Sequence, residues 1–266
     1  LISFLELLKR RFHAPAELPL AKRKWFNAIK SIFLMSSICL YMNYTYLLTN
    51  LVLLLIPVVL FSNKKMEFAK NSKFIILSVL INVFVFSIPT EFLTQLKVIV
   101  YNPPYLTGMT LWELPIEELL FSLLLPLAGA AIYLFLNIRY PDNTPDKYSL
   151  AMSNIMLGIC IAMLYFGHTK LYTVFTFAIL LVFIVYVEYV NKIRFMYRFY
   201  RAFLVSLVPF YLAFAVLTAV PVVQYNRAET LDFNLVHIPF EAHFYFMGML
   251  LLTIFLYEVF KARARR

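Results

Sequence analysis

A polytopic, all-α bundle of about eight transmembrane helices is the expected architecture of this chain, and three features lead to it. Of the 266 residues, 62% are hydrophobic and only 14% are charged. That is too little charge to coat a water-soluble surface, since ordinary domains are about a quarter charged. Apolar runs near 18–20 residues recur along the chain, the length a helix needs to cross roughly 30 Å of hydrocarbon. The basic residues fall in short clusters between those runs, the habit of loops held on the cytoplasmic face.

Spans are expected near 25–42, 44–61, 74–90, 117–137, 149–166, 170–190, 202–221 and 240–259. With the N-terminus inside, segments 1–24, 62–73, 138–148, 191–201 and the tail are cytoplasmic, and they hold twenty of the 24 Lys and Arg residues. The opposite side holds Lys97, Arg227 and, at a span edge, Lys170, while Lys30 lies inside the first span. Both termini are therefore expected in the cytoplasm. The span 25–42 carries Asn27 and Lys30, but without it Lys22, Arg23 and Lys24 would fall outside, against the charge rule. Residues 1–12 place Leu and Phe at helical spacing beside Lys9, Arg10 and Arg11, the pattern of a helix lying on the inner surface. No cleavable signal peptide is expected.

The net charge of +10 would suit nucleic acid if it were gathered on one face. Here it is divided among loops, and no nucleic acid partner is expected. Cys39 and Cys160 lie inside apolar runs and read as small buried hydrophobes. His13 and His168 sit at membrane edges, and the four histidines form no metal pattern. Five scattered glycines exclude a phosphate loop, and there is no Asp-x-x-x-Asp motif and no serine triad. Neither a metal nor an organic cofactor is expected.

The chain repeats itself. Tyr101-Asn102 leads, thirteen residues past the Asn, to Pro115-Ile116-Glu117-Glu118, and Tyr225-Asn226 leads at the same distance to Pro239-Phe240-Glu241-Ala242. From Asn102 to Asn226 the offset is 124 residues, with no gap. The unit is two spans, an outer loop with Tyr-Asn, and a third span opened by Pro-x-Glu. An offset of four crossings is even, so two three-span copies are expected to run parallel. The resulting division is 1–43 as an amphipathic segment and extra span, 44–137 as the first copy, 138–169 as a connecting span, and 170–266 as the second copy.

Proline suits the first turn of a helix, and a glutamate two residues on can accept the free backbone N–H groups there. Glu117 and Glu118 are adjacent, however, and one cap cannot use both. Carboxylates at the mouth of apolar spans are costly and tend to mark function. Clustered in a dry pocket, Glu117, Glu118 and Glu241 cannot all carry charge at low cost, so an acid beside a base is expected. Such a pair suits proton-in, proton-out chemistry on a hydrocarbon, with aromatic faces steadying a carbocation. His243, two residues after Glu241, reads as a packing or loop-bonding group within this neighbourhood.

At this point the residues resemble a family, the membrane-integral lycopene cyclases of bacteria, archaea and fungi. The resemblance rests on Tyr105-Leu106-Thr107-Gly108, Leu114-Pro115-Ile116-Glu117-Glu118-Leu119-Leu120-Phe121, Val222-Val223-Gln224-Tyr225-Asn226, Ile238-Pro239-Phe240-Glu241 and Leu256-Tyr257-Glu258. It covers roughly residues 44–262, and the segment before them looks like an addition to the family's seven spans. It implies a bacterial inner-membrane protein that closes a ring at the end of a linear carotenoid or related polyprenoid. A general acid protonates the terminal double bond, a neighbouring alkene attacks the cation, and a base removes a proton. The resemblance implies Glu117 and Glu241 as the acid/base pair, with Glu118 tuning them. Asn102 and Asn226 would fix the loops, and Tyr105, Tyr225, His243 and Tyr245 would lie along the substrate.

The chain also departs from the family pattern. Ala242 stands where a second acidic residue is usual, Asn234 replaces an Arg, Phe214-Ala215 an Asn-Gly, and Pro89-Thr90 a Trp-Asp. Two readings of function follow, a divergent cyclase and a carotenoid- or lipid-binding subunit of a membrane complex that keeps the fold without the chemistry. A proton-coupled transporter is a third, which parallel repeats and intramembrane carboxylates would also fit.

Overall fold

The structure, a computed structural model, describes residues 44–62, 68–141, 148–191 and 193–264. The amphipathic helix expected at 1–12 and the span expected at 25–42 lie outside the described residues. The described chain is a bundle of apolar helices: α1 (Thr45–Phe61), α2 (Phe68–Gln95), α3 (Ile116–Arg139), α4 (Ser149–Phe166), α5 (Leu171–Val185), α6 (Met196–Ala219) and α7 (Phe240–Arg263). Six of these, α2 to α7, are long and apolar enough to cross a membrane, and α1 is a shorter apolar helix of 17 residues. α5 runs on into a π-helical turn, Tyr186–Val190. The chain is therefore an integral membrane protein.

Each helix is sorted by its neighbours. In α1, Tyr46, Thr49, Asn50, Leu53 and Pro57 are buried at helical spacing, while Leu51, Val52, Leu55 and Val59 are exposed. Exposed apolar side chains cost nothing against hydrocarbon, so what is buried is chosen by fit and by polar bonding. The Asn50 amide donates to the Glu117 carbonyl at 2.8 Å, which ties α1 to the first turn of α3. α3 and α7 are the interior helices, and α3 carries the run Ala128-Gly129-Ala130-Ala131 on buried positions. Small residues let helix backbones approach closely. A Cβ placed on Gly129 would stand 2.5 Å from Leu250 Cδ1 of α7 and 3.4 Å from Ser206 Oγ of α6. Leu250 is itself fully buried and has little room to move. Gly129→Val should therefore cost about 1–3 kcal/mol by overpacking, read as a lowered midpoint in thermal unfolding of the detergent-solubilised protein.

The bundle closes by exchange. α1 packs on α3 and α5 on α7, while α2 crosses to α7 and α6 crosses to α3. α4 packs on α5 at the periphery.

The all-α expectation needs one amendment, because the loops at one end of the bundle form short strands. These are β1 (Ile99–Tyr101), β2 (Thr110–Leu111), β3 (Leu114–Pro115), β4 (Val223–Tyr225), β5 (Asn234–Leu235) and β6 (Ile238–Pro239). β2 pairs with β3 and β5 with β6 as hairpins. β1 pairs antiparallel with β4, matching Ile99 with Tyr225, Val100 with Gln224 and Tyr101 with Val223. Outside the ladder, the Asn102 N–H donates to the Val222 carbonyl and the Asn226 N–H to the Val98 carbonyl, each at 2.9 Å. Such loops cannot leave backbone groups unpaired near lipid, and pairing with each other satisfies them.

The two loops keep one spacing throughout. β1 and β4, the 3₁₀ turns Pro103–Tyr105 and Arg227–Glu229, the two hairpins, and α3 and α7 each recur 124 residues apart. Gly108 and Asp232, also 124 apart, both take positive φ, +85° and +54°. The left-handed turn is cheap for glycine and tolerable for aspartate.

Candidate functional site

The candidate site lies under the β1–β4 ribbon, where both halves of the chain contribute walls. Glu118 projects into it from the first turn of α3, with Ser122 and Leu125 one and two turns below. Ala242, Tyr245, Phe246 and Met249 of α7 face them. Tyr46 comes from the start of α1, Tyr172 from the start of α5, Thr90 from α2, and Phe210, Phe214 and Leu217 from α6. Ile99, Tyr101, Val223 and Tyr225 of the ribbon form the roof. The chamber has a volume of about 40 Å³, little more than one water's share of liquid volume, about 30 Å³.

Polar contacts are organised around the one carboxyl of this wall. The Tyr46 hydroxyl donates to Glu118 Oε2 at 2.5 Å, and Tyr101 and Ser122 line the chamber beside it. The Tyr172 and Tyr225 rings pack against each other, with centroids 5.2 Å apart. The Tyr245 hydroxyl lies 2.7 Å from Thr90 Oγ1 and donates to the Phe86 carbonyl at 3.1 Å. Phe121, Phe210 and Phe214 add an aromatic cluster to the lining, with centroid separations of 5.6 Å for Phe121–Phe214 and 4.6 Å for Phe210–Phe214.

In the ribbon, burial and the charge of Glu118 hold the Tyr101 phenol well above the usual tyrosine range. The same two causes, in that order, raise Tyr225. Both phenols therefore stay neutral where free tyrosine ionises, at about pH 10. In an alkaline titration followed by tyrosinate absorbance, Tyr101→Phe and Tyr225→Phe should leave the amplitude near pH 10 unchanged. A loss of amplitude there would mean that the ribbon tyrosines are open to water.

Glu117 and Glu241 occupy a different place. Glu117 Oε1 accepts the Thr107 N–H at 2.6 Å, and Glu241 Oε1 accepts the Leu231 N–H at 2.7 Å. In both cases the donor lies ten residues earlier, in the loop. Glu241 Oε1 also accepts the Thr173 hydroxyl at 2.8 Å. Both side chains are buried, and Oε2 of each has no hydrogen-bond partner. The expectation that these carboxylates cap their own helices is corrected on this point. Pro115 and Pro239 are themselves the N-cap residues, neither with a side-chain capping bond, and the carboxylates reach back to the preceding loop. Neither Glu117 nor Glu241 is among the residues that line the chamber.

The other expected site residues divide similarly. Tyr225 and Tyr245 line the chamber. Asn102 donates to the Pro221 carbonyl at 3.2 Å and the Asn226 side chain accepts the Ala228 N–H at 3.0 Å, so both brace loops. Tyr105 sits half-buried in the 3₁₀ turn. His243 is buried with Nε2 2.9 Å from the Tyr211 hydroxyl, outside the chamber lining. Residues the sequence reading passed over are Tyr46, Tyr172 and Ser122, whose signal is a hydroxyl on the buried face of an apolar span near the loop end. Glu91 was also passed over, and it accepts the Glu113 N–H of the first hairpin at 3.2 Å. Three of the positions at which the chain departs from the family pattern, Thr90, Phe214 and Ala242, all line the chamber.

Among the described residues, no group of three His, Cys, Asp or Glu side chains is placed to hold a metal ion. Comparison with curated proteins and with solved structures gave no match. A family model described as lycopene cyclase matches residues 43–136 and 169–260, that is, α1 to α3 and α5 to most of α7 with their ribbon loops, leaving out α4. With well over half of its residues covered by that match, the chain belongs to the lycopene cyclase family.

Proposed function

We propose that this membrane protein closes the end group of a linear carotenoid or related polyene by acid/base isomerisation, with Glu118 as the proton donor. The observation that carries the proposal is the chamber itself: one carboxyl, surrounded by phenols and phenyl rings, walled by both halves of the chain. The Glu118 carboxyl gives its proton to the terminal C=C, leaving a tertiary cation. The next C=C in reach attacks that centre, forms the ring C–C bond and moves the positive charge into the ring. The Glu118 carboxylate, now ionised, removes a ring proton, and a new C=C forms. Substrate and product are isomers, and the glutamate ends as it began. The faces of Tyr172, Tyr225, Phe210 and Phe214 are suited to steady the cation, worth about 0.5–2 kcal/mol per ring face.

This reading transfers the catalytic role from Glu117 and Glu241, expected as the pair, to Glu118. Their bonds to Thr107 and Leu231 support a part in holding the roof. Tyr101, Tyr225 and Tyr245 are proposed to touch substrate, with Asn102, Asn226 and Tyr105 shaping the loops and His243 bracing α7 against α6. The constant spacing of 124 residues and the symmetric β1–β4 pairing support two parallel three-span copies. The positions of the basic residues support a ribbon on the extracytoplasmic side and both termini in the cytoplasm, with an eighth span before α1. A lycopene-accumulating bacterium that expresses the chain should contain cyclised pigment, resolved by chromatography. Unchanged lycopene, with the protein folded in the membrane, would refute the proposal.

The small chamber volume and Ala242 favour a second reading, a carotenoid- or lipid-binding subunit of a membrane complex. Pigment that co-purifies in fixed ratio with the protein and a partner, without turnover, would establish it.

A further inference from the structure

We infer that the β2–β3 and β5–β6 hairpins bind the lipid surface on the ribbon side, with Trp112 and Val236 at their tips seated at the boundary of headgroups and acyl chains. Each hairpin turns on two residues, Trp112-Glu113 and Val236-His237. Both favoured types of two-residue turn take positive φ at the first central residue, where glycine, asparagine or aspartate is usual. Trp112 and Val236 hold that place with φ +58° and +52°, a strained conformation for a bulky or β-branched side chain. Both side chains also stand out from the protein, 72% and 69% exposed. Strain of this kind persists where the surroundings offset it, and an apolar tip gains nothing in water.

The first hairpin shows the depth. At its tip, the Glu113 N–H donates to Glu91 Oε1 at 3.2 Å. Glu91 lies one turn inside the end of α2 at Gln95 and follows Thr90, which lines the same chamber as Glu118. The hairpin therefore folds back along α2, and its tip stands level with the first turn of α3. That helix has 24 residues, about 36 Å at 1.5 Å per residue. The hydrocarbon is roughly 30 Å thick, and the headgroup layers add about 5–8 Å on each side. A tip level with the start of α3 thus falls within the interface.

Continuity with the lipid-facing surface of the helices identifies the partner. Met109 and Leu111 of the hairpin, Ile116 at the start of α3, and Phe92 and Leu96 of α2 are all exposed. Glu113 is the one charged residue from Asn102 to Leu114. In the second loop the charges precede the hairpin: Arg227 pairs with Asp232 at 3.7 Å, and Glu229 Oε2 accepts the Leu171 N–H at 3.1 Å. From Phe233 to Phe240 there is no Asp, Glu, Lys or Arg, and Phe233 is exposed like Val236. Tryptophan is favoured at the membrane interface, and the paired backbone of a hairpin can enter it without stranding its polar groups.

Trp25 and Trp112 are the two tryptophans of the chain, so in a Trp25→Phe background Trp112 fluoresces alone. The test reconstitutes the full protein into phosphatidylcholine vesicles whose acyl chains are brominated either near the headgroup or near the chain ends. Trp112 emission should lie to the blue of indole in water. It should be quenched several-fold more by the shallow bromines than by the deep ones, and little by aqueous iodide. Val236→Trp, in a Trp25→Phe/Trp112→Phe background, should give the same order at the second tip. Strong quenching by iodide with none by brominated lipid would place a tip in water. Protection from both quenchers would mean that protein covers it, and stronger quenching by the deep bromines would put it inside the hydrocarbon. Any of these three results, at either tip, overturns the inference.

Discussion

Glu118→Gln is expected to leave a folded, membrane-inserted protein whose cyclisation rate falls by about 10²–10⁴-fold, the usual contribution of a positioned acid or base. Glutamine keeps the shape of the side chain and can still accept from the Tyr46 hydroxyl, as Glu118 Oε2 does at 2.5 Å. It has no proton to give to an alkene and no charge with which to retrieve one. Since the same oxygen pair is proposed for both transfers, no other carboxyl of the wall can rescue the variant, and Ala242 is the residue of α7 that faces it in place of an acid. Tyr46→Phe separates positioning from chemistry. It should slow turnover by about tenfold, the equivalent of one lost hydrogen bond of roughly 1.4 kcal/mol, while pigment retention is unchanged. Product chromatography from a lycopene-accumulating host, normalised to membrane-inserted protein, measures both variants. Full activity in Glu118→Gln would remove Glu118 from the reaction and return attention to Glu117 and Glu241.

The second large effect concerns stability. Glu241→Leu should destabilise the protein by about 2–6 kcal/mol, because it strands two donors, the Leu231 N–H and the Thr173 hydroxyl. Each unsatisfied buried donor costs about 1–3 kcal/mol. Glu241 is fully buried, so water cannot take over cheaply. Glu117→Leu strands one donor, the Thr107 N–H, and its effect should be about half as large. The loops are expected to loosen first, so hydrogen exchange at Thr107 and Leu231 should rise before the helices unfold. Glu241→Gln, which still offers an acceptor, should recover most of the loss. If instead Glu241→Leu were as stable as wild type but inactive, the carboxylate would belong to the chemistry and not to the roof.

Much of the fold was legible because membrane insertion leaves few options. Seven expected spans, from 44–61 to 240–259, meet seven helices among the described residues, and 149–166 agrees with α4 at both ends. The differences lie at helix ends. α2 runs from Phe68 to Gln95, beyond the expected 74–90, because a helix continues through polar residues once outside hydrocarbon, and Pro89 sits within it. The strands of the loops were not foreseen. Segments of two or three residues have no periodicity to read, and β1 and β4 find each other across 124 residues of chain. The Asn102 and Asn226 backbone N–H groups flank that ribbon through bonds at 2.9 Å.

Sequence alone determined the solvent, the helices, and the end of the bundle where carboxylates would gather, because hydropathy, length and motif spacing are one-dimensional quantities. Tertiary structure alone decided which of those carboxylates faces the chamber. Neighbours on a helix point about 100° apart, so Glu117 turns to the loop and Glu118 to the shared interior, and nothing in the pair Glu-Glu says which is which. The same holds for Tyr46, Tyr172 and Thr90, three hydroxyls from three helices that line one chamber with Glu118 only because α1 packs on α3, α5 on α7, and α2 across on α7.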